Sequence, residues 1–218
     1  MASKSAARRL ASPGRIAPKT WVLTPDRFLR GEHLTHLRAV LEEWQRSGVA
    51  KRVRDATIIE LLLGSGLRVS EACALKIGHV HLQDGSPAVF VRRGKGGRPR
   101  LVPISSRLAS RLTTYLEAKA GWGELVDADR PLFLGQHGVE LTRFGLSKIW
   151  KVALAAAGLA GRWGIHATRH TYAVEAYRKT KDLRLTQTLL GHTSPVTTTV
   201  YAALLDEDAR AGVEKIWG

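Results

Sequence analysis

A change of residue periodicity in the middle of the chain constrains the fold more than any other feature. On either side of residues 79–104, apolar residues recur with the spacing of amphipathic helices. Within that block, β-branched or alternating runs at 79–82, 88–92 and 100–104 are separated by Asp84-Gly85 and by the glycine-rich turn 94–97. The pattern predicts an α+β fold, mostly helical, with a small three-stranded antiparallel sheet.

The helices can be placed from their apolar stripes and from the residues that begin and end them. Predicted helical segments are 32–46, 54–63, a segment from residue 69, and 107–118, 143–157, 167–178 and 183–190. The pairs Thr24-Pro25 and Ser194-Pro195 are typical of capped helix starts.

Charge gives the first indication of a partner. The chain has 34 lysines and arginines against 19 acidic residues, a formal net charge of +15. Such an excess favours a polyanion, most commonly nucleic acid. A single cysteine, Cys73, rules out a disulfide within the chain and favours a reducing compartment, so we expect a cytoplasmic protein. No apolar run reaches the ~18 residues of a membrane span, and no membrane partner is expected.

The first 23 residues differ in composition from the rest. They carry five cations and no acid, separated by small residues and prolines. This composition predicts a basic disordered arm over residues 1–23. The composition is equally consistent with a solvated tail and with an arm that contacts phosphate groups non-specifically.

Five short stretches hold the candidate chemistry, although each is a weak signal alone. Taken singly, Lys95 is equally consistent with a solvated charge in a turn. His192 alone is consistent with a helix cap, and Tyr201 alone with an aromatic residue of the core. The polar positions are Arg68, Glu71, Lys95, His166, Arg169, His192 and Tyr201.

Together these residue types suit phosphodiester cleavage. Negative charge accumulates on the non-bridging phosphate oxygens, and Arg68 and Arg169 can bind those oxygens in a bidentate way without losing their charge. A phenol with a pKa of ~10, such as Tyr201, needs a proton acceptor or a positive field to act as nucleophile. Lys95, in its glycine-flanked turn, suits protonation of the leaving oxygen, and Glu71 suits orientation of other groups.

The order and spacing of these residues resemble the tyrosine recombinase, or phage-integrase, family. That family has an arginine, a lysine in a β-hairpin turn, His-x-x-Arg, a histidine after Leu-Gly, and a tyrosine nine residues later. Here His192 precedes Tyr201 by nine residues, and the likeness covers roughly residues 24–217. Position 168 departs from it, since Thr168 stands where a leucine is usual.

The resemblance implies a site-specific recombinase that cuts and rejoins DNA through a 3′-phosphotyrosyl intermediate, without metal or other cofactor. It implies that His166 accepts the proton of Tyr201 and that His192 donates to the phosphate oxygens. Residues 24–205 are then the catalytic domain. The residues expected to contact DNA are Arg92, Arg93, Arg98, Arg143, Lys148 and Lys151.

The implied partners are double-stranded DNA and further copies of the chain, with a tetramer in the full synaptic complex and a nucleoid-associated location. The apolar residues of segment 206–218 fit a helix that contacts a neighbouring subunit, or one that packs on its own domain.

Two other functions stay open on the sequence alone. A type IB topoisomerase shares the arginines, lysine and tyrosine, and a non-catalytic DNA-binding protein could use the same scaffold. His166 and His170 have the spacing of a helical zinc pair, but residue 167 is alanine where the zinc motif has glutamate, so no metal is expected.

Overall fold

The computed structural model describes residues 25–83, 85–92 and 98–191. The helices are α1 Glu32–Arg46, α2 Ala50–Ser65, α3 Val69–Cys73, α4 Ser106–Gly121, α5 Arg143–Ala156, α6 Ala167–Thr180 and α7 Leu183–Leu190. The strands are β1 Val80–His81, β2 Ala88–Val91 and β3 Arg100–Pro103. This mostly helical arrangement with one small antiparallel sheet confirms the predicted fold class.

Helix α2 lies at the centre of the helical layer and packs against α1, α4 and α6. Ile58 and Ile59 are both fully buried, although neighbouring residues point about 100° apart around a helix axis. A helix that is apolar on most sides is stable only when other elements surround it. The apolar second half of α2 therefore fixes it as the element around which the others assemble.

The predicted start of α2 at residue 54 is wrong, because the helix begins at Ala50. The cause is the almost completely buried carboxylate of Asp55. Lys51 Nζ lies 2.9 Å from Asp55 Oδ2, one turn away, and Arg54 Nη2 lies 2.7 Å from Asp55 Oδ1. These ion pairs stabilise the first turn of the helix and give the carboxylate the partners that burial requires.

The sheet is an antiparallel meander in the order β1-β2-β3. Val89 lies opposite Val80 on one side and opposite Val102 on the other. Val89 and Val102 are buried, so one face of the sheet joins the core. Each strand is shorter than predicted by one or two residues. Because β2 and β3 pair antiparallel, residues 92–99 form the hairpin connection between them.

A smaller apolar cluster holds the last two described helices in place. Phe28 packs with Val174 and Tyr177 of α6 and with Leu190 of α7. Beside it, Leu29 donates its backbone N–H to the hydroxyl of Thr171 at 2.9 Å. The segment before α1 therefore fixes α6 and the end of α7 relative to the main core. None of the helices within the described residues is long and apolar enough to cross a membrane.

The residues around the two Ser/Thr-Pro pairs are described only in part. Pro25–Arg27 forms a single 3₁₀ turn rather than the start of a longer helix. Residues 1–24, which include the predicted basic arm, and residues 192–218, which include Ser194-Pro195 and the segment 206–218, lie outside the described residues.

Candidate active site

An open cleft lies where the N-terminal ends of α3, α5 and α6 meet. The residues that line it are Arg27, Arg68, Val69, Ser70, Arg143, Phe144, Ile165, His166, Arg169 and His170. Four of them are arginines, and none of the described residues in the lining is acidic. The cleft is therefore suited to an anion that is large enough to reach several guanidinium groups at once.

A glycine turn places Arg68 in this cleft. Gly66 ends α2 in the left-handed region, with φ at 62°. A Cβ atom at this position would lie 2.4 Å from a ring carbon of Tyr172 on α6, so the turn packs directly on that helix. The chain then runs extended through Arg68, and α3 begins at Val69. Only glycine combines this backbone conformation with so close an approach.

The carboxylate of Glu71 connects Arg68 to the sheet. Glu71 Oε2 accepts a hydrogen bond from the backbone N–H of Arg68 at 2.8 Å, and Oε1 accepts one from Arg68 Nη1 at 2.7 Å. Arg100 of β3 donates to both oxygens of Glu71, at 2.8 and 2.9 Å. Burial opposes ionisation of Glu71, but the hydrogen bonds from Arg100 and Arg68 outweigh it and lower its pKa to about 2. Glu71 is therefore ionised at neutral pH, and its carboxylate fixes two guanidinium groups.

Arg169 is held by the backbone of two separate segments. It lies in the first turn of α6, and it donates hydrogen bonds to the carbonyl of Gly66 and, at 2.8 Å, to the carbonyl of Leu190. These contacts bring together the turn before Arg68 and the end of α7, which precedes His192. The buried hydroxyl of Thr168, the residue that departs from the family pattern, donates to the carbonyl of Ile165 at 2.8 Å.

The two described histidines of the cleft differ in exposure. His166 is exposed and directly precedes α6, whereas His170 is half-buried one turn further on. Burial, and then the neighbouring His166 and Arg169, lower the pKa of His170 below its ordinary value. Within the described ranges, no group of three His, Cys, Asp or Glu side chains is arranged to hold a metal ion.

The remaining predicted site residues are not all described. Lys95, His192, Tyr201 and Arg93 lie outside the described residues. The segments that carry these residues adjoin described residues, however. The hairpin that carries Lys95 leaves β2 at Val91 and enters β3 at Arg100. Gly191, directly before His192, has φ at 62°, and a Cβ there would lie 2.6 Å from Arg100 Nε.

Of the predicted DNA-contact residues that the structure describes, Arg143 alone lines the cleft. Lys148 and Lys151 are exposed further along α5, and Arg92 and Arg98 are exposed at the two ends of the hairpin connection. The structure therefore spreads these cations over the rim of the cleft and two neighbouring elements.

Arg100 is a site residue that the sequence interpretation did not single out. It touches Glu71 directly and packs against Gly191, so it links the hairpin strand to both neighbouring segments of the cleft. A signal was available in the strand pattern. Residues two apart in a strand point to the same face, and Arg100 shares its face with the buried Val102. A charged residue at such a position needs a buried partner.

This arrangement predicts a pH-dependent effect of Arg100→Ala on stability. We expect the free energy of unfolding to fall by about 2 kcal/mol near neutral pH, because the buried carboxylate of Glu71 loses two hydrogen bonds. The stability that the lowered pKa of Glu71 contributes is present above 4.5 and is lost as the pH falls from 4.5 towards 2. The difference between wild type and variant should therefore shrink over that range.

Urea unfolding at a series of pH values measures this difference. Arg98→Ala is the matched control, since Arg98 is an exposed arginine near the same strand. A difference that stays constant from neutral pH down to about 2 would show that Glu71 is not the partner through which Arg100 acts.

Solved structures with the same fold define the class of protein. The XerH site-specific recombinase, in a post-cleavage complex with palindromic difH substrate, superposes with a TM-score of 0.72 and 28% sequence identity, covering 89% of this chain and 54% of that one. The crystal structure of XerA recombinase superposes with a TM-score of 0.69 and 26% identity, and the match covers 88% of this chain and 66% of XerA. The described fold is that of a tyrosine recombinase catalytic domain.

Sequence relatives give the family. The phage integrase family profile matches residues 27–208. Tyrosine recombinase XerC of Halalkalibacterium halodurans is 37% identical over 163 residues, 73% of this chain and 53% of that protein. Tyrosine recombinase XerA of Pyrococcus furiosus is 32% identical over 165 residues, which are 75% of this chain and 55% of that protein. The chain belongs to the phage integrase family, and it spans about half the length of these curated relatives.

Proposed function

We propose that this chain is the catalytic part of a site-specific DNA recombinase or integrase that cuts and rejoins strands through a 3′-phosphotyrosyl intermediate. One observation carries the proposal: Arg68 and Arg169, distant in sequence, line one cleft that has no acid among its described lining residues. Their guanidinium groups are held by Glu71 and by backbone carbonyls before any substrate arrives. Such preorganised charge stabilises a phosphate transition state without reorganisation during the reaction.

In the proposed reaction, the Tyr201 hydroxyl attacks the phosphorus of one phosphodiester. A bond forms between the phenolic oxygen and phosphorus, and the bond from phosphorus to the 5′-oxygen breaks. His166 accepts the phenolic proton, Lys95 protonates the leaving 5′-oxygen, and His192 donates to a phosphate oxygen. Rejoining is the reverse attack by a 5′-hydroxyl. The covalent link conserves the energy of the broken bond, so the proposal includes no metal and no nucleotide cofactor.

The proposed partners are double-stranded DNA and further copies of the chain. The net charge of +15 and the exposed Arg92, Arg98, Lys148 and Lys151 support a phosphate-backbone contact. The XerH recombinase was solved in two complexes with difH substrate, and its sequence aligns with this chain at 28% identity in one and 30% in the other. We propose residues 24–205 as the catalytic domain, residues 206–218 as a subunit contact, a tetramer in the full synaptic complex, and a nucleoid-associated location in the cytoplasm.

Covalent capture of DNA tests the proposed function. Purified protein is incubated with a library of nicked duplexes, denatured in detergent, and the DNA that stays attached to protein is sequenced. A recombinase enriches a defined target sequence. Relaxation of any supercoiled plasmid, without an enriched target, would point to the topoisomerase alternative. DNA that binds but is never retained after denaturation would point to a non-catalytic protein.

The role of Lys95 predicts a substrate-specific rescue. We expect Lys95→Ala to slow single-turnover cleavage of an ordinary phosphodiester, because the 5′-oxygen then leaves without a proton. A substrate with sulfur at the 5′-bridging position should restore the rate, since a thiolate leaves unprotonated. Arg98→Ala, which removes an exposed cation beside the same turn, should show no such rescue. If Lys95→Ala slows cleavage of the ordinary and the sulfur substrate equally, Lys95 is not the general acid.

A further inference from the structure

Helix α5 has an exposed face next to the cleft. Its opposite side is buried in the core through Leu146, Ile149, Trp150, Ala153 and Leu154. The exposed face carries Phe144, Lys148 and Lys151. Phe144 is 82% exposed, the highest value among the large apolar residues of the described chain. Neither the caps of α5 nor its packing explains an aromatic ring at this position.

Phe144 lies between two concave surfaces. On one side it lines the cleft together with Arg68 and Arg169. On the other side it lines a groove with Lys51, Lys148 and other residues of α2, α5 and the segment before α5. A ligand held by the two cleft arginines and extending along α5 would therefore pass over this ring.

The charge around Phe144 indicates what such a ligand is. Arg143, Lys148 and Lys151 are the charged residues of α5, and the helix has no acid. Across the groove are Lys51 and Arg54, with Glu140 as the acid of its lining. A second copy presenting this basic surface would be repelled, whereas a nucleic acid duplex would be attracted.

We propose that Phe144 is a specificity-determining residue that recognises thymine beside the cleaved phosphate, through contact of its ring with the C5 methyl group. The inference rests on the proposed function, because a phosphate bound by Arg68 and Arg169 brings the adjacent base pairs towards α5. The major groove of B-form DNA admits an α-helix, and the thymine methyl is its one apolar feature. A phenylalanine ring has no hydrogen-bonding group with which to recognise the heteroatoms of other bases.

Two duplexes that differ only in this methyl group test the proposal. Wild-type protein is titrated with alternating dA-dT and alternating dA-dU duplexes of equal length at one salt concentration. We expect about fourfold tighter binding to the thymine duplex, the factor for burial of one methyl group. Phe144→Ala should reduce this ratio to about one, chiefly by weakening binding to the thymine duplex. Phe144→Leu, which keeps an apolar side chain, should retain most of the preference.

Leu125→Ala is the matched control, since Leu125 is an exposed apolar residue that lines neither surface. It should keep the wild-type ratio. Because Phe144 is exposed, thermal unfolding of its variants should match wild type. Equal affinity of wild type for the two duplexes, or the same loss on both in Phe144→Ala, would overturn thymine recognition while leaving the proposed function intact. Absence of binding to both duplexes would likewise overturn thymine recognition, and the proposed function is tested separately by covalent capture.

Discussion

Replacing Arg169 by alanine should slow single-turnover strand cleavage by about 10²–10³-fold, the usual effect of losing one preorganised donor to a transition-state oxyanion. Arg169 has a fixed position, since the carbonyls of Gly66 and Leu190 accept hydrogen bonds from its guanidinium group. Arg68→Ala should have an effect of the same order, because Arg68 lines the same cleft and is oriented by Glu71.

The conservative variants separate charge from geometry. Arg169→Lys keeps the positive charge but not the planar pair of donors, so we expect it to recover only a small part of the lost rate. Arg178→Ala is a matched control on the same helix, since Arg178 is half-exposed and lies outside the cleft. If both variants fold and each slows cleavage by less than a few-fold, Arg68 and Arg169 do not bind the phosphate oxygens in the transition state.

Much of the fold could be predicted because several elements carry complete local signals. The bounds of α1 and α7 match the prediction residue for residue. Helix α1 has a continuous apolar stripe, Leu34, Leu37, Leu41 and Trp44, all buried. Helix α7 begins at the cap of Asp182, whose side chain accepts from Leu185 N–H, and ends at Gly191 in the left-handed region. In both helices the information lies within one or two turns.

What could not be predicted depends on contacts between distant residues. The early start of α2 follows from the burial of Asp55, which depends on the elements that surround it. The pairing of Arg100 with Glu71 joins residues 29 positions apart. The strand pattern places Arg100 on the same face as the buried Val102, but it does not identify Glu71 as the partner, because that contact forms only in the folded sheet.

The candidate site was predicted in a different way. No periodicity brings Arg68, His166 and Arg169 together, and their shared site is predicted by the chemistry of phosphodiester cleavage and by the family resemblance. The structure places these three residues in one lining. Lys95, His192 and Tyr201 stay predictions, since they lie outside the described residues.

Tyr201 is the residue on which the proposed mechanism depends most. Without its hydroxyl no phosphotyrosyl bond can form, so Tyr201→Phe should abolish covalent capture completely while leaving DNA affinity unchanged. Tyr177→Phe is the matched control, since Tyr177 is a buried tyrosine of α6 that packs in the small apolar cluster. It should form the adduct at a rate close to wild type.

The most direct measurement uses a nicked duplex that releases a short fragment on cleavage, which traps the covalent intermediate. The trapped protein is separated by denaturing electrophoresis, digested, and the peptide attached to the 3′-phosphate is identified by mass spectrometry. The proposed mechanism predicts a DNA adduct on the peptide that contains Tyr201, and none in Tyr201→Phe. An adduct that persists in Tyr201→Phe, or one mapped to another residue, would contradict it.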